Sequence, residues 1–188
     1  MNVFTESAMN RPLFEEPAEE IERPDPWTGP KGFMIGGMAL PTRDGLSQQF
    51  FEAANILLGA IKRDELEDYR LVNPVLFLYR HSIELLLKSF IGSTGHNLAA
   101  LAHDFETAVK KRFGHAPSPW MIARLREIAA IDPNSTAFRY SENYDKARKM
   151  HVAVDGEMYV SLNHLEEAMQ ALRLALLSVW DSGRVPLA

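Results

Sequence analysis

Residues 73–105 leave this chain few folding options. They read NPVLFLYRHSIELLLKSFIGSTGHNLAALAHDF, and the first half is an almost wholly apolar helical run that still carries Arg80, His81, Glu84 and Lys88. Asn73 and Pro74 have the character of an N-cap and a first helical residue, and Gly92 that of a stop, so a helix is predicted between them. A helix that is apolar over most of its circumference must be surrounded by other helices. At about 100° per residue, Arg80, Glu84, Lys88 and His81 share one arc with Phe77 and Ile91. That arc has two readings. It is a solvated stripe held by its own i,i+4 ion pairs, each contributing ~0.2–0.5 kcal/mol. Alternatively it faces a groove between helices, where unpaired charge is costly. In the second case His96, opening the next helix, is placed to return to Glu84 and complete a network.

The flanking sequence supplies the rest of a bundle. Phe50, Ala54, Leu57, Leu58 and Ile61 recur at three- and four-residue steps and predict an amphipathic helix over residues 46–63. Leu98, Leu101, Ala102, Phe105 and Val109 mark a helix over 97–113, and Pro117 and Pro119 separate it from another over 120–131. Ser161 caps a long final helix to about residue 181, in which Leu162, Leu165, Met169, Leu172, Leu176 and Val179 step 3-4-3-4-3. Such a narrow seam belongs to close helix pairing, within a bundle or across a dimer interface. Residues 132–161 break the helical pattern. Residues 137–140 have extended character, and the alternation of 151–160 about Asp155-Gly156 signals a hairpin. The expected fold is all-α: an antiparallel helical bundle of about five helices with a small β-hairpin insertion and an extended N-terminal arm.

That arm, residues 1–41, holds six of the 11 prolines. Residues 1–26 carry seven acids against Arg11 and Arg23, which accounts for the whole net charge of −5. This composition disfavours helix and sheet, although Phe14, Trp27, Phe33, Met34 and Ile35 are apolar enough to dock on the bundle domain, residues 42–188, or on a neighbouring subunit. The rest of the chain is neutral, so it has no global field for steering nucleic acid, and any RNA contact needs a local patch. Arg139, Tyr140, Tyr144, Lys146, Arg148 and Lys149 mix aromatic and basic character suited to stacking on single-stranded RNA, or form a solvated loop. With no cysteine, no signal-like N-terminus and no apolar run long enough to span a bilayer, a cytoplasmic protein without membrane contact is expected. His96 and His103 lie two turns apart on one helix face, too far along the axis to form one metal site. No cofactor fingerprint is present, so neither a metal nor a cofactor is expected.

Leu76-Phe-Leu-Tyr-Arg-His-Ser-Ile-Glu-Leu-Leu-Leu-Lys88, followed by Gly95-His-Asn-Leu98 and Leu101, resembles the HEPN superfamily of α-helical domains. The resemblance lies in an Arg-His step, then Glu-Leu-x-Leu-Lys, then His-x-Leu-x-x-Leu. It covers residues 74–105 best, extends more weakly over 137–182 through Phe138-Arg-Tyr140, and is absent over 1–45. It implies an antiparallel bundle that forms a homodimer in a defence or toxin–antitoxin setting, either as a ribonuclease or as a non-catalytic partner of a nucleotidyltransferase or antitoxin. The ribonucleases of that superfamily carry Arg, four to six residues, then His, and no arginine here has that spacing. Arg112 and His115, like Arg148 and His151, are separated by only two residues. No catalytic residue is therefore assigned, and whether the chain is an enzyme stays open. The expected function is a non-catalytic module binding RNA, a nucleotide or a partner protein through Arg80, His81, Glu84, Lys88, His96, Arg139 and Tyr140. A protein-interaction or dimerisation domain, and a ribonuclease with a relocated site, are the alternatives.

Overall fold

The computed structural model describes residues 14, 40–140, 144–145, 150–151, 154 and 156–184. The arm expected over residues 1–41 lies outside them apart from Phe14, Leu40 and Pro41, as do Lys146, Arg148 and Lys149. Five helices form the described bundle: α1 (Arg43–Lys62), α2 (Asp68–Ile91), α3 (Leu98–Phe113), α4 (Pro119–Ile131) and α5 (Leu162–Arg184). Among the described residues no helix is long and apolar enough to cross a membrane.

Local chemistry sets most of these boundaries. Thr42 Oγ1 accepts from the Gly45 N–H at 3.3 Å, capping α1. Asn97 Oδ1 accepts from the Ala100 N–H at 2.9 Å, capping α3. Three cations in the last turn of α3, Lys110, Lys111 and Arg112, oppose the negative end of its dipole. Gly92 and Gly114 close α2 and α3 in the left-handed region, at φ 72° and 76°. Ser161 Oγ accepts from the His164 N–H at 3.4 Å where α5 begins.

Three expectations need correction. Asn73 is not an N-cap: α2 starts at Asp68 and carries Pro74 inside it. Its N-cap residue, Glu67, makes no side-chain capping bond, and acids lie at the positive end of the helix dipole. The Asp68 carboxylate takes the Tyr69 N–H at 2.7 Å, and the Tyr69 hydroxyl donates to Glu67 at 2.8 Å. Pro74 costs one backbone bond, but Arg70 and Pro74 are both exposed, so the bond is lost on the outer side of the helix. The hairpin expected about Asp155-Gly156 is not found among the described residues, which exclude 152, 153 and 155. Residues 157–160 carry no strand, and the only ladder among the described residues pairs β1 (Tyr144–Asp145) with β2 (Met150–His151), antiparallel. Residues 137–140 are not extended either, because the Arg139 and Tyr140 N–H groups both donate to the Thr136 carbonyl in a tight turn.

A single apolar core joins the helices. Tyr79, Ile83, Leu86 and Leu87 of α2 meet Ala54 and Leu58 of α1, Leu98 and Phe105 of α3, and Leu125 of α4. Met169, Leu172 and Leu176 of the final seam are buried in that same core, so the seam serves pairing within the bundle. Each such aliphatic side chain contributes about 1.5–3 kcal/mol when fully buried. Residues 82–88 are buried without interruption, which places α2 at the centre.

Candidate functional site

The charges of α2 point inwards. Arg80, Glu84 and Lys88 are buried, at 1%, 0% and 6% exposure. Lys88 Nζ donates to Glu84 Oε1 at 2.6 Å, and Arg80 pairs with Glu84 Oε2. His96 returns from the start of α3 as its position suggests, with Nδ1 2.8 Å from Glu84 Oε1. In a hydrogen bond between that nitrogen and an ionised carboxylate, Nδ1–H is the donor. Lys88 Nζ lies 3.2 Å from the same nitrogen. Burial pushes the Glu84 carboxyl up, but donation from Lys88, Arg80 and His96 outweighs it and holds the group below its ordinary value.

Arg80 also ties α2 to the loop after α4. Its Nε donates to the Asp132 carbonyl at 3.1 Å, and one terminal nitrogen donates to the carbonyls of His96 at 3.0 Å and Pro133 at 3.3 Å. Asp132 Oδ2 lies 3.2 Å from Arg80 Nε yet accepts no hydrogen bond, since that N–H is aimed at the Asp132 carbonyl. Asp132 Oδ1 gathers the Thr136 and Ala137 N–H groups at 2.7 and 3.0 Å. Two buried cations therefore face two buried carboxylates, with His96 at the exposed rim. The ion pairs within α2 were legible as i,i+4 spacing. Asp132 was not, being 52 positions from Arg80 in sequence; its only signal is an acid just before a proline at a helix end.

His81 does not belong to this network. Its ring stacks on Phe77, with centroids 5.6 Å apart, and meets Phe50 edge-on at 4.6 Å. Burial lowers its pKa; Glu84 opposes that, while Arg80, Lys88 and Arg139 reinforce it. The Arg139 guanidinium lies 5.6 Å from the Phe77 ring centroid and 5.3 Å from that of Tyr140. Tyr140, Arg139, Phe77, His81 and Phe50 thus form one continuous column, and its outer ring, Tyr140, is 54% exposed. The seven predicted residues accordingly separate into a buried network of Arg80, Glu84, Lys88 and His96 and a surface column containing His81, Arg139 and Tyr140.

A second buried polar cluster escaped sequence reasoning. Ser47 and Ser82 each donate to the other's carbonyl, at 2.9 and 2.8 Å, bringing α1 close to α2. Arg173 of α5 donates to both hydroxyl oxygens, at 2.9 and 3.2 Å, and to Gln48, with its guanidinium 4.8 Å from the Phe51 ring centroid. Burial lowers the Arg173 pKa and Glu52 opposes the shift. The only cue was a cation beside Leu172 in an otherwise apolar seam.

A groove of about 600 Å³ opens between α2, α4, α5 and residues 154, 156 and 158–161, lined largely by apolar side chains such as Leu76, Ile128, Phe138 and Leu165, with Arg80 among the lining residues. A second, of about 630 Å³, lies between the C-terminal halves of α3 and α5. Among the described residues no group of three or more His, Cys, Asp or Glu is arranged to hold a metal ion. No protein-family model, curated protein or solved structure matches this chain.

Proposed function

We propose that this chain is a HEPN-like, non-catalytic module that binds RNA or a nucleotide, working as a homodimer in a defence or toxin–antitoxin setting with a nucleotidyltransferase or antitoxin as partner. One observation carries the binding reading. The column Tyr140–Arg139–Phe77–His81 ends in an exposed ring with a guanidinium directly behind it, and a nucleobase stacks on such a ring while the cation faces its phosphate. The non-catalytic reading is supported by the state of the other charges: Arg80, Glu84 and Lys88 are buried and bonded to one another. Fluorescence anisotropy with a labelled single-stranded oligoribonucleotide and with ATP tests the proposal. Each base stacked on an aromatic ring contributes about 1–3 kcal/mol, so Tyr140→Ala should weaken binding by roughly 5- to 150-fold. Absence of binding, or cleavage of the RNA that is abolished by His81→Ala or His151→Ala, would refute it.

A protein-interaction reading has its own observation. Met158, Tyr159 and Val160 form an exposed apolar run on the rim of the 600 Å³ groove, with Tyr159 93% exposed. A monomer by light scattering that binds RNA in full would remove this second reading and the dimer together.

A further inference from the structure

We infer that Arg80, acting through Asp132, is a positioning residue for the Arg139–Tyr140 pair, so that the buried network belongs to ligand binding as well as to the core; this rests on the nucleobase reading above. The loop between α4 and the column is bonded along its length. Arg80 holds its first two carbonyls, those of Asp132 and Pro133, at 3.1 and 3.3 Å. Asp132 Oδ1 then curls the chain by taking the Thr136 and Ala137 N–H groups. Ser135 lies between them in the left-handed region at φ 62°, a conformation that a non-glycine residue keeps only when its surroundings impose it. The Thr136 carbonyl accepts from the Arg139 and Tyr140 N–H groups at 3.2 and 3.1 Å, and Arg139 Nε bonds the Ser135 carbonyl. Each link is a directed hydrogen bond, and the first of them starts at a guanidinium that has no freedom to move.

Asp132 Oδ2 makes the arrangement sensitive. It is buried, accepts no hydrogen bond and has Arg80 Nε as the cation beside it. Remove the planar fork of Arg80 and a buried carboxylate loses the cation beside it, while the carbonyls of Asp132, Pro133 and His96 lose their donor. The loop then has reason to open towards water, carrying Arg139 away from Phe77. Lysine in place of Arg80 keeps the charge facing Glu84 but cannot serve three carbonyls from one rigid plane.

The experiment uses the full chain, the labelled single-stranded oligoribonucleotide and amide exchange at Thr136 and Ala137. Arg80→Lys is expected to weaken binding by about 10-fold, within the usual range for coupled sites, and to speed exchange at both amides. Arg173→Met removes a buried cation from the separate Ser47–Ser82 cluster; it should leave affinity within about twofold and both amides protected. The inference is overturned if Arg80→Lys leaves the two amides unchanged, or if Arg173→Met weakens binding as much as Arg80→Lys. Should Arg80→Lys fail to fold, Asp132→Asn, which sets an amide against Arg80 Nε, is held to the same two readouts. If Arg139→Ala leaves affinity unaltered, the nucleobase reading alone falls, and the exchange rates of Arg80→Lys still decide the positioning role.

Discussion

Glu84 is fully buried and takes donors from Lys88, Arg80 and His96, whereas Arg173 is buried against hydroxyls, an amide and a ring. Glu84→Gln leaves Lys88 without an anion, and breaking a buried pair in this way should cost about 3–5 kcal/mol in urea denaturation. Arg173→Met removes a buried cation, while Ser47 and Ser82 keep donating to each other's carbonyls. Its stability should stay within about 1 kcal/mol of the parent. The two residues also differ from His81 in their pH signature. The folded pKa of His81 lies below its unfolded value of about 6.5, chiefly through burial, so its contribution is fully present above that pH and declines below it, as the unfolded chain takes up the proton first. Glu84 titrates below the ordinary carboxylate range, so its contribution is lost only at more acid pH. Thermal unfolding followed from about pH 7.5 to 5 should therefore fall in the parent and stay flatter in His81→Phe.

Helix boundaries followed their capping chemistry wherever that chemistry was local. Asn97, Gly92 and Gly114 sit where their side chains, or lack of one, make a helix start or stop. Gly92 has φ 72° and nothing near the place a Cβ would occupy, so Gly92→Ala should cost about 1 kcal/mol from backbone strain alone. Gly95→Ala, at ordinary φ with only the Ser93 hydroxyl at 3.7 Å, should lie within about 0.5 kcal/mol of the parent; melting temperatures of the two variants separate these cases. The start of α2 misled because Asn-Pro is a strong capping pair in isolation, yet the helix runs through it from Asp68, with acids at its positive end and Asn73 and Pro74 exposed. The hairpin signal at Asp155-Gly156 misled for a related reason. Gly156 does adopt φ 77°, but residues 157–160 form no strand, and alternation without a ladder does not make a sheet; residues 152, 153 and 155 lie outside the described residues.

At the scale of the whole molecule one core holds all five helices, so damage anywhere in it should be felt throughout. Leu125→Ala, in the shortest helix but with no exposure at all, should cost about 2–5 kcal/mol, and its unfolding by far-UV and near-UV circular dichroism should remain coincident. Periodicity alone determined that this chain makes a helical bundle with residues 73–91 at its centre, because an apolar circumference admits no other environment. It also determined that Arg80, Glu84 and Lys88 share a stripe, since i,i+4 spacing is a property of the helix itself. Tertiary structure decided which way the stripe faces, that Asp132 completes it, and that His81 leaves it for a stack with Phe77 and Phe50. Those outcomes depend on contacts between residues far apart in sequence, whose geometry is set by how helices pack, and no local pattern encodes them.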